Sequence, residues 1–397
     1  MKLRILFVDD EPRILAGLRR MLRARRDEWE TAFAESGAEA LEILEREPFD
    51  VIVSDMRMPG MDGAELLAEV RRRHPEMLRI VLSGHSEIEL VLSSVGPSHQ
   101  YLTKPCDAET LHSTIVRAAA LREILADEKL RSIVSRLEHM PSMPKLFSAL
   151  VEELGKDDAS IPQVAALVIQ DPAMTAQVLR LVNSAYFGLP REINSAERAV
   201  SYLGIGPLSS LVLREGLFAE ADRALIERFH LEEISRHGND VASLARRLAK
   251  DAGAETIEVE DAFTAGLLHD AGKVILATNL PDRYEKALEQ RVAGVWSREL
   301  EEELVGADHG VVGAYLMSVW GLPSTVVEAI AYHHRPSECR AQGRTTLTWV
   351  HVANALVSGR STPCHVDTDY LRRLDLASKW ERWQELAEDL HTVAEDA

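Results

Sequence analysis

The stretch LRILFVDD, residues 3–10, decides how the first part of the chain is read. Its near-continuous apolar run describes a strand buried on both faces, and two carboxylates follow at once. The plan repeats downstream. PRILAGLRRMLRA (12–24) is an amphipathic helix opened by Pro12, and VIVS (51–54) is another buried strand. The helix GAELLAEVRRRH (63–74) and the strands RIVLS (79–83) and QYLT (100–103) follow. Strands alternating with helices at this spacing predict a parallel sheet with helices on both faces. In such sheets ligands bind beyond the carboxyl ends of the strands. Asp9, Asp10, Asp55, Ser83 and Lys104 all fall at that edge.

The chemistry follows from these residue types. Three carboxylates converging in one crevice repel one another unless a hard cation lies between them, and Mg²⁺ suits an all-oxygen set. A carboxylate so placed can attack a phosphoryl group, while Lys104 and the Ser83 hydroxyl would neutralise and hydrogen-bond the product's oxygens. A single Asp or Ser at a strand end says little, since both cap helices. Five such residues at one edge point to a site. Through VDDE (8–11), SDMRMPGMDG (54–63), LSG (82–84) and YLTKP (101–105), residues 1–120 resemble the receiver domain of two-component response regulators, which implies an α/β fold with a doubly wound, five-stranded, flavodoxin-like parallel sheet. The resemblance implies that Asp55 is the phosphoacceptor and that a sensor histidine kinase is the donor. It also implies that Asp10, Asp55 and the Arg57 carbonyl ligate Mg²⁺ directly, with Asp9 acting through water. Ser83 and Tyr101 match its switch positions.

At 397 residues the chain is expected to hold more than one domain. A hydrophobic share of 46% with 27% charged residues describes a globular protein rather than a disordered one. No apolar run approaches the ~18–20 residues of a membrane span, and the acidic residues of the opening come too early for a signal peptide. Cys106, Cys339 and Cys364 show no paired spacing, which argues against a disulfide framework or a thiolate zinc site and for the cytoplasm. A net charge of −19 disfavours general binding to nucleic acid or anionic membrane.

Past residue 105 the helical period does not stop. Leu111, Ile115, Ala118, Leu121, Leu125, Leu130, Ile133 and Leu137 recur at helical spacing, so residues 121–136 are read as a helical linker. Packing within the chain and pairing in a homodimer both fit that periodicity. Beyond Pro141 every segment that can be placed is helical. Asp171 and Pro172 open DPAMTAQVLRLVNSAYFG (171–188), and Gly188 is a fitting end. The approach LEHMPSMPKLFSAL (137–150) and the run IQDPAMTAQVLRLVNSAYFGLPREINSAERAVSYLG (169–204) resemble the HDOD family of bacterial signalling proteins. That family is related to the HD superfamily of metal-dependent phosphohydrolases. The resemblance implies an all-α domain over 137–397, with an HD-like subregion at about 220–360 and a helical tail at 365–397.

The superfamily's ligands can then be sought singly. The first histidine matches His237, the His–Asp pair matches His269 and Asp270 in GLLHDAGK (266–273), and His309 with His333 and His334 match the extra ligands of its two-metal branch. Imidazole and carboxylate suit Fe, Mn, Zn or Ni. The last ligand of a catalytic HD site is an aspartate, and Asn354 stands there in VHVANALV (350–357), one turn after His351, a candidate substitute. An amide oxygen brings no charge to balance a dication. The cyclic-di-GMP phosphodiesterase branch also carries GYP after its paired histidines, where this chain reads HHRPSECRAQGR (333–344). The favoured expectation is therefore an output domain without hydrolytic activity that works by contact with a downstream signalling protein. A metal-dependent phosphohydrolase is the alternative, marked by the retained histidines. A third reading, a DNA-binding regulator, rests on YLGIGPLSSL (202–211) and SLARRLAKDAGAETIEV (243–259), both of which fall within the HDOD resemblance.

Overall fold

The computed structural model describes residues 2–83, 100–104, 106–112, 114–116, 130, 133, 134, 137, 140–156, 158–183, 192–213, 218–290, 298–339, 343–358 and 366–395. Two compact units emerge. One comprises Met1–Glu138 with Arg180–Glu192 and Ser318–Gly321, and the other comprises His139–Leu179, Ile193–Met317 and Leu322–Ala397.

In the first unit the strands β1 (Leu3–Val8), β2 (Trp29–Ala34), β3 (Val51–Asp55), β4 (Leu78–Ser83) and β5 (Gln100–Thr103) form one parallel sheet in the order β2-β1-β3-β4-β5. This is the flavodoxin-like order expected of the sequence. Side chains alternate across a strand, so β1 feeds two cores. Ile5 and Phe7 join Leu15 and Leu18 of the helix α1 (Pro12–Met21), while Leu6 and Val8 join Leu44 of α2 (Gly37–Arg46) and Leu66 and Leu67 of α3 (Gly63–Arg73). The α-helical hydrogen bonding of α1 stops at Met21, and a 3₁₀ turn, Leu22–Arg25, completes the expected span. A capping box opens α3, in which Asp62 accepts from the Glu65 N–H at 2.8 Å and Glu65 accepts from the Asp62 N–H at 3.2 Å. Most of the expected linker, including residues 117–129, lies outside the described residues, although Leu130 and Val134 are buried.

The second unit is built around the helix Thr256–Leu268, which is buried almost all round and flanked by the helices Leu231–Asp251, Ser324–Tyr332 and Thr346–Ser358. Ala242, Ala245 and Ala249 line the buried stripe of Leu231–Asp251, and their small size lets the backbones approach. Helices therefore dominate, as expected. One departure is a two-residue parallel bridge between Pro141–Ser142 and Ala219–Glu220. Asp171 caps the helix Pro172–Val182 through the Met174 N–H at 3.0 Å, and its other oxygen takes the Met143 N–H at 2.7 Å, fastening the segment after that bridge. The expected helix end at Gly188 lies outside the described residues. Residues 202–211 fall on two helices, Ala196–Leu203 and Ile205–Leu213. Residues 243–259 are mostly the end of Leu231–Asp251, whose Leu244, Ala245, Leu248 and Ala249 are core, so a free recognition helix is not formed there. Among the described residues no helix is long and apolar enough to cross a membrane.

The acidic tail completes this core. Trp383 in the helix Trp380–Glu395 is fully buried and meets Trp349 edge to face at 6.2 Å, and the Trp349 indole N–H donates to Glu258 at 2.6 Å. Trp383→Ala should lower the free energy of unfolding by about 3–5 kcal/mol in urea titrations, since the cavity opens beside a second indole. A loss below about 1 kcal/mol would make the tail peripheral.

Candidate functional site

Two polar centres occur, one in each unit. In the first, β1 and β3 are neighbours with Val8 opposite Ser54, so Asp9 and Asp55 emerge side by side at the carboxyl edge. Lys104 beyond β5 reaches both, with its ammonium donating to Asp9 Oδ2 at 2.7 Å and to Asp55 Oδ1. Backbone amides hold the remaining oxygens: the Glu11 N–H donates to Asp9 Oδ1 at 2.9 Å and the Arg57 N–H to Asp55 Oδ2 at 2.8 Å. Burial raises the Asp55 pKa above the ordinary carboxylate value, against the pull of Lys104. The close seating of α3 depends on Gly63, where a Cβ would come within 2.2 Å of the Asp55 carbonyl oxygen. The Asp9 and Asp55 carboxylates with one ammonium leave a deficit of positive charge in an all-oxygen donor set, which fits Mg²⁺. Ser83 and Tyr101 end β4 and lie in β5, at that same side of the sheet, and their side chains lie outside the described residues.

The second centre gathers around Asp270. The helix Thr256–Leu268 ends at His269, and Asp270 precedes the next helix, Ala271–Asn279, so the His–Asp pair sits at a break between helices. Around it stand His237 from Leu231–Asp251, His309 from the helix His309–Val319, and His333 and His334 after Ser324–Tyr332. Two groups have ligand atoms within 4.8 Å of one another: Asp270 with His309, His333 and His334, and His237 with His269 and Asp270. Gly272 permits this closeness, because a Cβ there would lie 1.9 Å from the His309 carbonyl oxygen.

The rings are oriented by their outer nitrogens. Nδ1–H of His269 donates to the Gly266 carbonyl at 2.7 Å, and that of His333 to the Ile330 carbonyl at 2.8 Å. Each then turns a bare Nε2 inward, and neither Nε2 has a hydrogen-bond partner among the described residues. His309 pairs through Nδ1 with Glu301 at 2.8 Å, an arrangement that fixes a metal-binding imidazole and raises its basicity. Lys273 donates to Asp270 Oδ2 at 2.7 Å. Burial drives the His269 imidazole down to about 4 and holds His333 and His334 well below the ordinary value, reinforced by neighbouring histidines. Burial opposes the Asp270 carboxylate as well, yet His269, Lys273 and His309 keep it well below its usual range. His309 is the exception: Glu301 and Asp270 outweigh burial and raise it to about 9. Buried imidazoles gathered around an anion, with the Nε2 of His269 and of His333 unpaired among the described residues, fit a transition metal, because leaving such nitrogens unpaired in a buried site is costly.

Some expectations change here. Three of the histidines are core residues: His269 and His309 are 0% exposed and His333 is 1% exposed. His351 is not a replacement ligand. Its Nδ1–H donates to the His333 carbonyl at 2.7 Å and its Nε2 accepts the Asp367 N–H at 2.9 Å, so both ring nitrogens are used in holding His333 from behind. Asn354 Oδ1 accepts from His237 Nε2–H and the Ser358 hydroxyl, each at 3.0 Å. Glu301, Lys273 and Ser358 were not singled out by the sequence. Glu301 lies in the acidic run RELEEEL, which reads as a solvated face, and only its place eight residues before His309 hinted otherwise.

Comparison with known proteins identifies a family for each part of the chain. The family described as "Response regulator receiver domain" matches residues 5–116, and the HDOD domain family matches residues 140–336. An uncharacterized protein of Treponema pallidum (strain Nichols) is 26% identical over 227 residues, covering 57% of this chain and 44% of that protein. The transcriptional regulatory protein GlrR of Escherichia coli (strain K12) is 38% identical over 134 residues, 33% of this chain and 30% of its own length. The chain thus spans less than half the length of either relative. Among solved structures, the MmoQ response regulator from Methylococcus capsulatus str. Bath superimposes with a TM-score of 0.49 at 23% identity, covering 62% of this chain and 98% of that one. With a parallel sheet in its first unit and helices in its second, the chain belongs to the two-component response regulators, pairing a receiver domain with an HD-type output domain of the HDOD family.

Proposed function

We propose that Asp55 accepts a phosphoryl group from a sensor histidine kinase, and that the HDOD unit passes on the receiver's state through contact with a downstream signalling protein, without hydrolysing a phosphodiester. In the receiver, Asp55 forms the acyl phosphate as the donor imidazole departs with its electron pair. Mg²⁺ held by Asp9, Asp10, Asp55 and the Arg57 carbonyl would neutralise charge on the transferring group. Lys104 is already placed to pair with the new phosphate oxygens, and Ser83 and Tyr101 are the residues expected to respond. Residues 121–136 would carry the response, either within one chain or in a homodimer.

The observation that carries the non-hydrolytic reading is the donor set at Asn354, whose amide oxygen already accepts from His237 and Ser358. Lys273 covers one oxygen of Asp270, and Asn354 supplies no carboxylate. Negligible turnover of cyclic-di-GMP is expected with Mn²⁺ or Fe²⁺ supplied, read by chromatography of the dinucleotide products. Steady turnover that His269→Ala removes would make the second unit a phosphohydrolase and defeat this reading. The contact itself is tested by pull-down with and without a phosphoryl mimic at the receiver, where partners that do not change would count against it.

A further inference from the structure

The two oxygens of Asp270 face different surroundings. Oδ2 is 2.7 Å from the Lys273 ammonium and 3.4 Å from His269 Nε2, with His237 Nε2 farther off at 3.9 Å. Oδ1 faces the other way, 3.2 Å from His309 Nε2 and 3.9 Å from His333 Nε2. The Nε2 atoms of His334 and His309 meet at 3.2 Å on that side. Donor supply differs just as much. On the Oδ2 side, His237 spends its Nε2–H on Asn354, whose amide oxygen is also claimed by Ser358, so His269 brings the one bare nitrogen there. On the Oδ1 side three imidazoles and a carboxylate oxygen converge, and Glu301 anchors His309 from behind.

We infer that this chain holds a single divalent transition metal, bound by Asp270 Oδ1, His309, His333 and His334, while the His237–His269–Asn354 half stays metal-free with Lys273 as its built-in cation. The inference rests on the reading that the second unit does not hydrolyse a phosphodiester. Three nitrogens and one oxygen fill a tetrahedral set, which suits Zn²⁺ best and matches the closed coordination of structural rather than catalytic metal sites. Glu301 is a positioning residue for His309 and does not touch the metal.

The test uses the full chain, stripped by chelation and titrated with Zn²⁺ or Co²⁺, with metal content read by mass spectrometry and the Co²⁺ form by its visible absorption. Expected are a single equivalent in wild type, His237→Ala and Asn354→Ala, with the intense bands of four-coordinate Co²⁺. His334→Ala and His309→Ala should lose the metal. Glu301→Gln, which keeps an acceptor for His309 but not the charge, should bind about 10–100-fold more weakly. Chelation should lower the melting temperature of wild type and His237→Ala but not of His334→Ala, which separates metal loss from misfolding. Two equivalents in wild type, none at all, or loss in His237→Ala with retention in His334→Ala would each overturn the assignment. Hydrolysis by a one-metal protein would defeat the proposed function and leave this inference standing, whereas two metals without hydrolysis would do the reverse.

Discussion

Incubated with a small phosphodonor and Mg²⁺, the intact protein should gain one phosphoryl group by mass spectrometry, and Asp55→Asn should gain none. The carboxylate at the end of β3 is the group on that edge held by both Lys104 and the Arg57 N–H, and an amide in its place lacks the anionic oxygen that must attack. An adduct of undiminished yield on the variant would displace Asp55 from the role. The substitution should not unfold the receiver. Because burial raises the Asp55 pKa, the folded state holds that proton more tightly than the unfolded chain does. The resulting stabilisation is complete below the ordinary carboxylate pKa and is lost as pH rises through the raised value. Asp55→Asn should therefore flatten this part of the stability profile when chelator is present, and a profile that keeps its slope would assign it to other carboxylates.

Gly272→Ala should be among the most damaging single changes in the second unit. Its Cβ would lie 1.9 Å from the His309 carbonyl oxygen and 3.0 Å from the Gly313 nitrogen, both backbone atoms that cannot rotate away. The helices Ala271–Asn279 and His309–Val319 would have to part, drawing His309 off Asp270. A loss of about 3 kcal/mol or more is expected in thermal or urea unfolding, at or beyond the upper end of ordinary overpacking. Gly206→Ala is the internal control, since nothing lies within 4 Å of its added carbon. Equal melting temperatures for the two variants would show that the close approach is unimportant.

The receiver was legible because its chemistry is carried by strand ends, and a buried strand announces itself locally. What the local pattern lacked was the pairing of β1 with β3. Strand order is set by contacts remote in sequence, and the resemblance supplied it. The second centre was legible as a set of residue types but not as an arrangement. His237 and Asn354 are 117 positions apart, and no spacing rule tells which ring nitrogen faces inward. That choice follows from carbonyls such as those of Gly266 and Ile330, which orient the rings after folding. His351 shows the limit plainly. It has the right type and the right helix, yet both its nitrogens are committed to backbone partners. Glu301 shows the converse, an acid hidden among acids whose burial only the packed structure reveals.

The hold of His351 on the His333 backbone, and of Asp367 on His351, bears on how the output unit can be cut from the chain. The family match ends at residue 336, a natural place to stop a gene fragment, and such a fragment would keep every histidine from His237 to His334. It would discard the helix Thr346–Ser358 that presses His351 against the His333 carbonyl, the Asp367 amide that fixes that imidazole, and the pair of indoles of Trp349 and Trp383. A fragment meant to keep His333 in place must run past Asp367, and one meant to keep its core must reach the helix Trp380–Glu395.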